Sequence, residues 1–168
     1  VLRLYGMDNI PTTLPAGRGR IGVRTNAQLV DAKIHRTLSA CGINETMTYS
    51  FAAGDDLDKL RMKEDGLGEA VELINPMNSE QAFMRRTVVP GLLRSVAHNQ
   101  AHGVSNIQLY EIGTVFAAHE GDRKPKERRK LACVLAGAMD DKGWNTDPRA
   151  FDFFDGKGAL EAIARELA

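Results

Sequence analysis

Cysteine is almost missing from this sequence: Cys41 and Cys133 are the only two, far apart and with no partner at metal-ligand spacing. That excludes a disulfide framework and a cysteine-built zinc site, and it fits a reducing compartment with free, buried thiols. Net charge is missing too. The 22 basic and 22 acidic residues cancel, so no overall field draws the chain to nucleic acid or an anionic membrane, and any RNA contact must come from a local patch. No window approaches the roughly 18 to 20 unbroken apolar residues of a membrane span, and the first residues lack the charged, apolar and small-residue order of a signal peptide. A soluble, cytoplasmic protein is the expectation. The chain has no tandem repeat and no low-complexity tract. It starts at Val1 rather than methionine and stops inside a helical pattern at Leu167 and Ala168, so a piece excised from a longer polypeptide is expected.

What is present suits a globular core: 168 residues, 43% hydrophobic and 26% charged, enough for one compact domain with a small appendage. Val1 to Gly6 reads as the end of a helix closed by Gly6. Pro11 and Pro15, with Gly17 and Gly19, mark an extended linker, because proline removes donors and restricts its predecessor. The first boundary is placed there, with a tail and linker over 1–20 and the core over 21–168.

Asn26 is the expected cap of a helix in which Leu29, Val30, Ile34, Leu38 and Cys41 recur at three-to-four-residue spacing, with Gly42 as its stop. Met47, Tyr49 and Phe51 then alternate with Thr46, Thr48 and Ser50, the period of a half-buried strand. A short helix is expected over 55–63 and short strands over 71–74 and 83–89. Pro90 opens a helix whose buried stripe is Leu92, Leu93, Val96 and Ala97, ended by Gly103. Strands follow over 107–116 and 131–138, joined by a hydrated basic loop, and a last helix runs from about Gly156 with Leu160, Ile163, Ala164 and Leu167 inward. Strands on short connections, interrupted by single helices, imply an α+β fold: an antiparallel sheet with helices packed on one side.

Three further groups of residues are candidates for chemistry. His98 and His102 share a helical face four residues apart, yet Asn99 stands where a metalloprotease helix has glutamate and no third ligand is evident, so surface histidines are favoured over zinc. Arg85 and Arg86 point to opposite faces of a strand. A structural ion pair with Glu80 or Glu111 is favoured over a free phosphate-binding cation, and Glu111 itself reads as a salt-bridged carboxylate rather than a general base. Trp144, beside Asn145 and Asp147, reads as a loop anchor. No nucleophilic triad follows from residue order.

The segments "LINPMNSEQAFMRRTVVPGLLRSVAHNQ" at 73–100 and "IQLYEIGTVF" at 107–116, with "VLRLYGMDNIPTTLP" at 1–15 and "LSACGINETMTYSF" at 38–51, closely resemble the core of the bacterial phenylalanyl-tRNA synthetase β subunit. The resemblance covers essentially the whole chain. It implies a class II synthetase-like core, an antiparallel sheet flanked by helices, truncated at its C-terminus and preceded by the tail of a winged-helix-like module. It also implies a part of phenylalanine–tRNA ligase, the ATP- and magnesium-dependent enzyme of two α and two β chains in which the α subunit performs the chemistry and tRNA binds the intact complex. In that fold the helix at 26–41 and the strand at 45–51 stand where subunits associate, so Leu29, Val30, Ile34, Leu38 and Tyr49 are the expected interface. "GTVF" at 113–116 matches the strand whose next residue would be the phosphate-clamping arginine. Here that residue is Ala117, and the returning "LACVLAG" carries no carboxylate.

The resemblance therefore implies a catalytically silent core that supports the α subunit, with no catalytic, nucleotide-binding, cofactor or metal residue in this chain. Three rivals remain: an independent class II-like ATP-dependent ligase recruiting Arg85 as its clamp, a tRNA-binding module acting through the loop residues Arg123, Lys124, Lys126, Arg128 and Arg129, and self-association through the 26–41 helix.

Overall fold

The long alternating segment after Asn106 forms the spine of the protein. In the computed structural model, which describes residues 1–13, 22–62, 68–119, 121 and 124–168, β4 (Ile107–Ala117) pairs antiparallel along its whole length with β5 (Lys126–Ala136), from Ile107 opposite Ala136 to Ala117 opposite Lys126. The basic residues 126–130 therefore belong to a strand, not to a loop. Charge does not prevent this, because β5 is a sheet edge and its long side chains reach water. Arg123, Pro15, Gly17, Gly19, Lys63 and the 20/21 boundary lie outside the described residues.

β1 (Asn44–Glu45) runs parallel to β4 on its other side, so the sheet of order β1-β4-β5 is mixed rather than purely antiparallel. β2 (Phe51–Ala52) pairs antiparallel with β3 (Phe83–Met84) in a separate ribbon. Between β1 and β2 the period of two survives without a continuous ladder, and its faces are reversed. Thr46, Thr48 and Ser50 turn inward, while Met47, Tyr49 and Phe51 face out. Val71–Ile74 contributes only the isolated bridge of Glu72 to Phe83, and the expected strand over 83–89 stops at Met84.

Helices cover both faces of the sheet, not one. α2 (Asn26–Ala40) and α5 (Phe153–Leu167) pack together, and Leu38, Ile43, Tyr110, Ala159 and Ile163 form a core with Ile34, Ile112, Leu131 and Leu135 against them. α4 (Val89–Ala101) lies across the other face, where Gly113 and Val115 point. A methyl on Gly113 would come within 2.7 Å of Val88 Cγ1 and collide with the Arg85 guanidinium, so the close approach requires glycine. β4 is consequently shielded on both sides.

The helix ends follow from local chemistry. Thr25, rather than Asn26, caps α2: its Oγ1 accepts from the Gln28 N–H, and Gln28 Oε1 accepts from the Thr25 N–H. Asp152 does the same for α5, which starts three residues before Gly156. Gly42 takes φ 77° after α2, a left-handed turn that glycine adopts without strain. Two apolar stripes are narrower than their periodicity suggests: Leu93 and Ala97 on α4, and Leu160, Ala164 and Leu167 on α5, are exposed. The helix expected over 55–63 is a single turn, α3 (Asp56–Lys59), preceded at the N-terminus by the turn α1 (Leu2–Tyr5). Trp144 is 97% exposed and anchors nothing; Cys41 and Cys133 are free, as expected, but exposed rather than buried.

Candidate functional site

Ala117 ends β4 and is buried at 3% exposure. The backbone on either side is pinned: the Phe116 N–H donates to the Arg85 carbonyl and the Ala118 N–H to the Glu69 carbonyl, both at 2.9 Å. A buried methyl group thus stands where the resemblance led us to expect a phosphate-clamping arginine. The returning strand does carry a carboxylate, contrary to the sequence reading. Glu127 sits opposite Phe116 on β5, exposed, and was hidden by taking residues 126–130 as loop.

Arg85, whose carbonyl accepts from the Phe116 N–H, is the arginine the sequence offered as a clamp, and its Nε and Nη1 are already engaged. Its Nε donates to the Thr114 carbonyl at 2.8 Å and its Nη1 to Thr48 Oγ1 at 3.2 Å, the Thr48 carbonyl at 3.4 Å and Glu111 Oε1 at 2.5 Å. Thr48 Oγ1 donates in turn to Glu111 Oε2 at 2.7 Å. Both ions are buried, so the pair must be closed by hydrogen bonds to survive desolvation, and it is. The structural ion pair with Glu111 is the reading the geometry supports. Glu111 is buried with both oxygens engaged, one by Arg85 and one by Thr48.

Of the expected interface residues, Leu29, Val30 and Tyr49 are exposed, Tyr49 at 78%. Leu38 is fully buried in the core, where no partner reaches it, and Ile34 is partly buried against that core. Helical spacing alone put all five on one stripe; the stripe splits because α5 covers its C-terminal half. Met47 was missed, although its place in the Met47–Tyr49–Phe51 alternation was the available signal. The outward row borders an open groove of about 960 Å³, whose other wall is Gly91, Arg94, Ser95 and His98 of α4. At its end Arg94 grips Asp56 through two bonds of 2.8 and 3.1 Å, which raises the guanidinium pKa above its ordinary value.

His98 and His102 do share a helical face. His102 Nδ1 lies 2.7 Å from the His98 carbonyl, and the ring centroids are 4.3 Å apart. Among the described residues no group of three or more His, Cys, Asp or Glu is arranged to hold a metal ion. In the core, His35 Nδ1 lies 2.8 Å from the Tyr110 hydroxyl, and burial raises that phenol's pKa. Of the basic residues, Arg129 is bound to Asp31 of α2 at 2.6 Å, while Lys124, Lys126 and Arg128 extend into solvent. Among the described residues no helix is long and apolar enough to cross a membrane.

The phenylalanyl tRNA synthetase beta chain CLM domain family matches residues 10–168. The chain is 37% identical over 164 residues to a phenylalanine–tRNA ligase beta subunit of Syntrophotalea carbinolica, covering 97% of this chain and 20% of that protein. It is 35% identical over 167 residues to the Listeria innocua subunit, covering 99% and 20%. Against the Bacillus thuringiensis subunit it is 38% identical over 161 residues, covering 96% and 20%. The chain thus spans about a fifth of the length of these curated relatives. Two solved structures of pyrrolysyl tRNA synthetase from Desulfitobacterium hafniense share the fold, at TM-scores of 0.56 and 0.57 and identities of 17% and 18%. Each covers 86% of this chain, and the match takes in 44% and 46% of the respective neighbour. The fold is therefore α+β with small sheets and helices, like that of these class II synthetases.

Proposed function

The chain belongs to the phenylalanyl tRNA synthetase beta chain CLM domain family, and from that premise we propose that it is the catalytically silent core of a phenylalanine–tRNA ligase β subunit. In the assembled enzyme, of two α and two β chains in the cytoplasm, the α subunit uses ATP and magnesium to join phenylalanine to its tRNA. This core braces the α subunit. Residues 1–20 form the tail of a preceding module and residues 21–168 the core. The observation that carries the reading is Ala117, a buried methyl group at the end of β4 where a phosphate clamp would stand. Stabilising a transferring adenylyl group asks for a preorganised cation, worth several kcal/mol, which a methyl cannot supply. Arg85 is a poor substitute, because releasing it would strand Glu111 in the protein interior.

The supporting surface is formed by the exposed Leu29 and Val30 of α2 and by the outward Met47 and Tyr49. Apolar side chains this exposed, with Met47 and Tyr49 lining the groove, mark a surface that is covered in its working state. Co-purification with a phenylalanine–tRNA ligase α subunit tests it. Leu29→Asp and Tyr49→Asp should each weaken association about tenfold or more, roughly 1.4 kcal/mol, without lowering thermal stability. Unchanged association in both variants discards the assignment. Ile34→Asp is the wrong probe, since Ile34 packs against the core cluster. Self-association through the same exposed face would appear as a doubled solution mass in the absence of the α subunit.

A further inference from the structure

We propose that Lys126, Arg128 and Lys130 form a binding row for the phosphodiester backbone of RNA along the exposed first half of β5. The three alternate with Glu127 and Arg129, so they project from one face of the strand, opposite Ala117, Val115 and Gly113 of β4. None of those neighbours can offer a counter-charge. Among the described residues none of the three has a carboxylate within 4.0 Å, whereas Arg129, on the other face, is paired with Asp31. The contrast separates a cation that serves the fold from three that do not. All three are exposed, and Lys124 continues the basic run beyond the strand.

Like charges spaced two residues apart on one face, about 6.8 Å at roughly 3.4 Å per residue, repel one another. In a chain with no net charge, this uncompensated row is a local field that a line of anions relieves. The occupant is narrowed by what the row lacks. It presents no aromatic or apolar anchor, and lysine is depleted from the cores of protein interfaces, which disfavours a protein partner. It lines no part of the large groove, so a straight exposed row suits an extended polyanion better than a small nucleotide. Without an aromatic residue for base stacking, contacts fall on phosphates and are independent of base sequence. The choice of RNA over DNA rests on the ligase reading; the row itself does not.

The test measures binding of the full chain to fluorescently labelled bulk tRNA across a salt series, beside the K126Q/R128Q/K130Q variant. The variant should bind at least tenfold more weakly at low salt. The slope of log affinity against log salt should fall by about two to three, since each phosphate contact contributes about 0.7 to 0.9. Single variants, each lowering the slope by about one, keep the test decisive should the triple variant unfold; R129Q should change the slope little. An affinity and slope unchanged in the triple variant overturn the proposal. So does loss of ATP or anionic-vesicle binding in that variant while tRNA binding persists. Association with the α subunit, measured in parallel, separates the two readings: tRNA binding through the row without α association leaves this site standing and defeats the ligase assignment.

Discussion

Glu111 accepts from both Arg85 and Thr48, three side chains that come from separate segments and meet under α4. Sequence alone leaves Glu80 and Glu111 as equal partners for Arg85, because both are acidic and neither separation in the chain is diagnostic. The register of β4 decides between them by turning Glu111 to the face that Arg85 enters. Glu111→Ala leaves a buried guanidinium unpaired and should cost about 3 to 5 kcal/mol, read by urea denaturation; replacing Arg85 and Glu111 together with Met and Leu should cost much less. A second residue-scale prediction concerns acid. The Arg149 guanidinium, at 2.6 Å, and the Asp152 backbone hold the Asp155 carboxyl at about 2, below its ordinary 3.8. A lowered folded-state pKa stabilises at pH values above the ordinary one, and the contribution is lost as pH falls toward the folded value. The stability gap between the wild type and Arg149→Gln should therefore be constant above about pH 5 and close between about pH 4 and 2; a gap independent of pH through that window contradicts the assignment.

At the scale of elements, α2, α4, α5 and the long strand β4 were legible because a period of 3.6 or 2 runs through each, with glycine at φ 77° and 86° after α2 and α4. Two elements were not. β5 was read as starting at Leu131 because a run of Lys and Arg resembles a hydrated loop, yet an edge strand accepts those side chains at no desolvation cost. The 46–51 segment shows the correct period with its faces inverted. The inward position of Thr48 is fixed by its bond to Glu111, a contact across 63 residues that no local pattern carries. Caps were half legible. Thr25 and Gln28 form the reciprocal box that Asn26 was expected to replace. Thr25→Ala should accordingly destabilise by about 1 kcal/mol, within the roughly 0.5 to 2 kcal/mol of such caps, while Asn26→Ala should shift the thermal midpoint little.

Over the whole molecule, the family was legible from fragments such as "INPMNSEQ" and "LYEIG" taken together, and the match over 10–168 bears it out. Expecting one helical layer instead of two was an error of a different kind. Amphipathic stripes say that each helix covers something; they do not say which face of the sheet. The consequence reaches the site, because a β4 shielded on both faces leaves the end of the hairpin, at Ala117, as the place where nucleotide chemistry would have to occur. The central claim is that it does not occur there. Calorimetric titration of the chain with ATP, magnesium and phenylalanine tests it most directly: the account predicts no saturable binding up to about 1 mM, less than roughly 4.1 kcal/mol of affinity, and saturable binding below that concentration would contradict it.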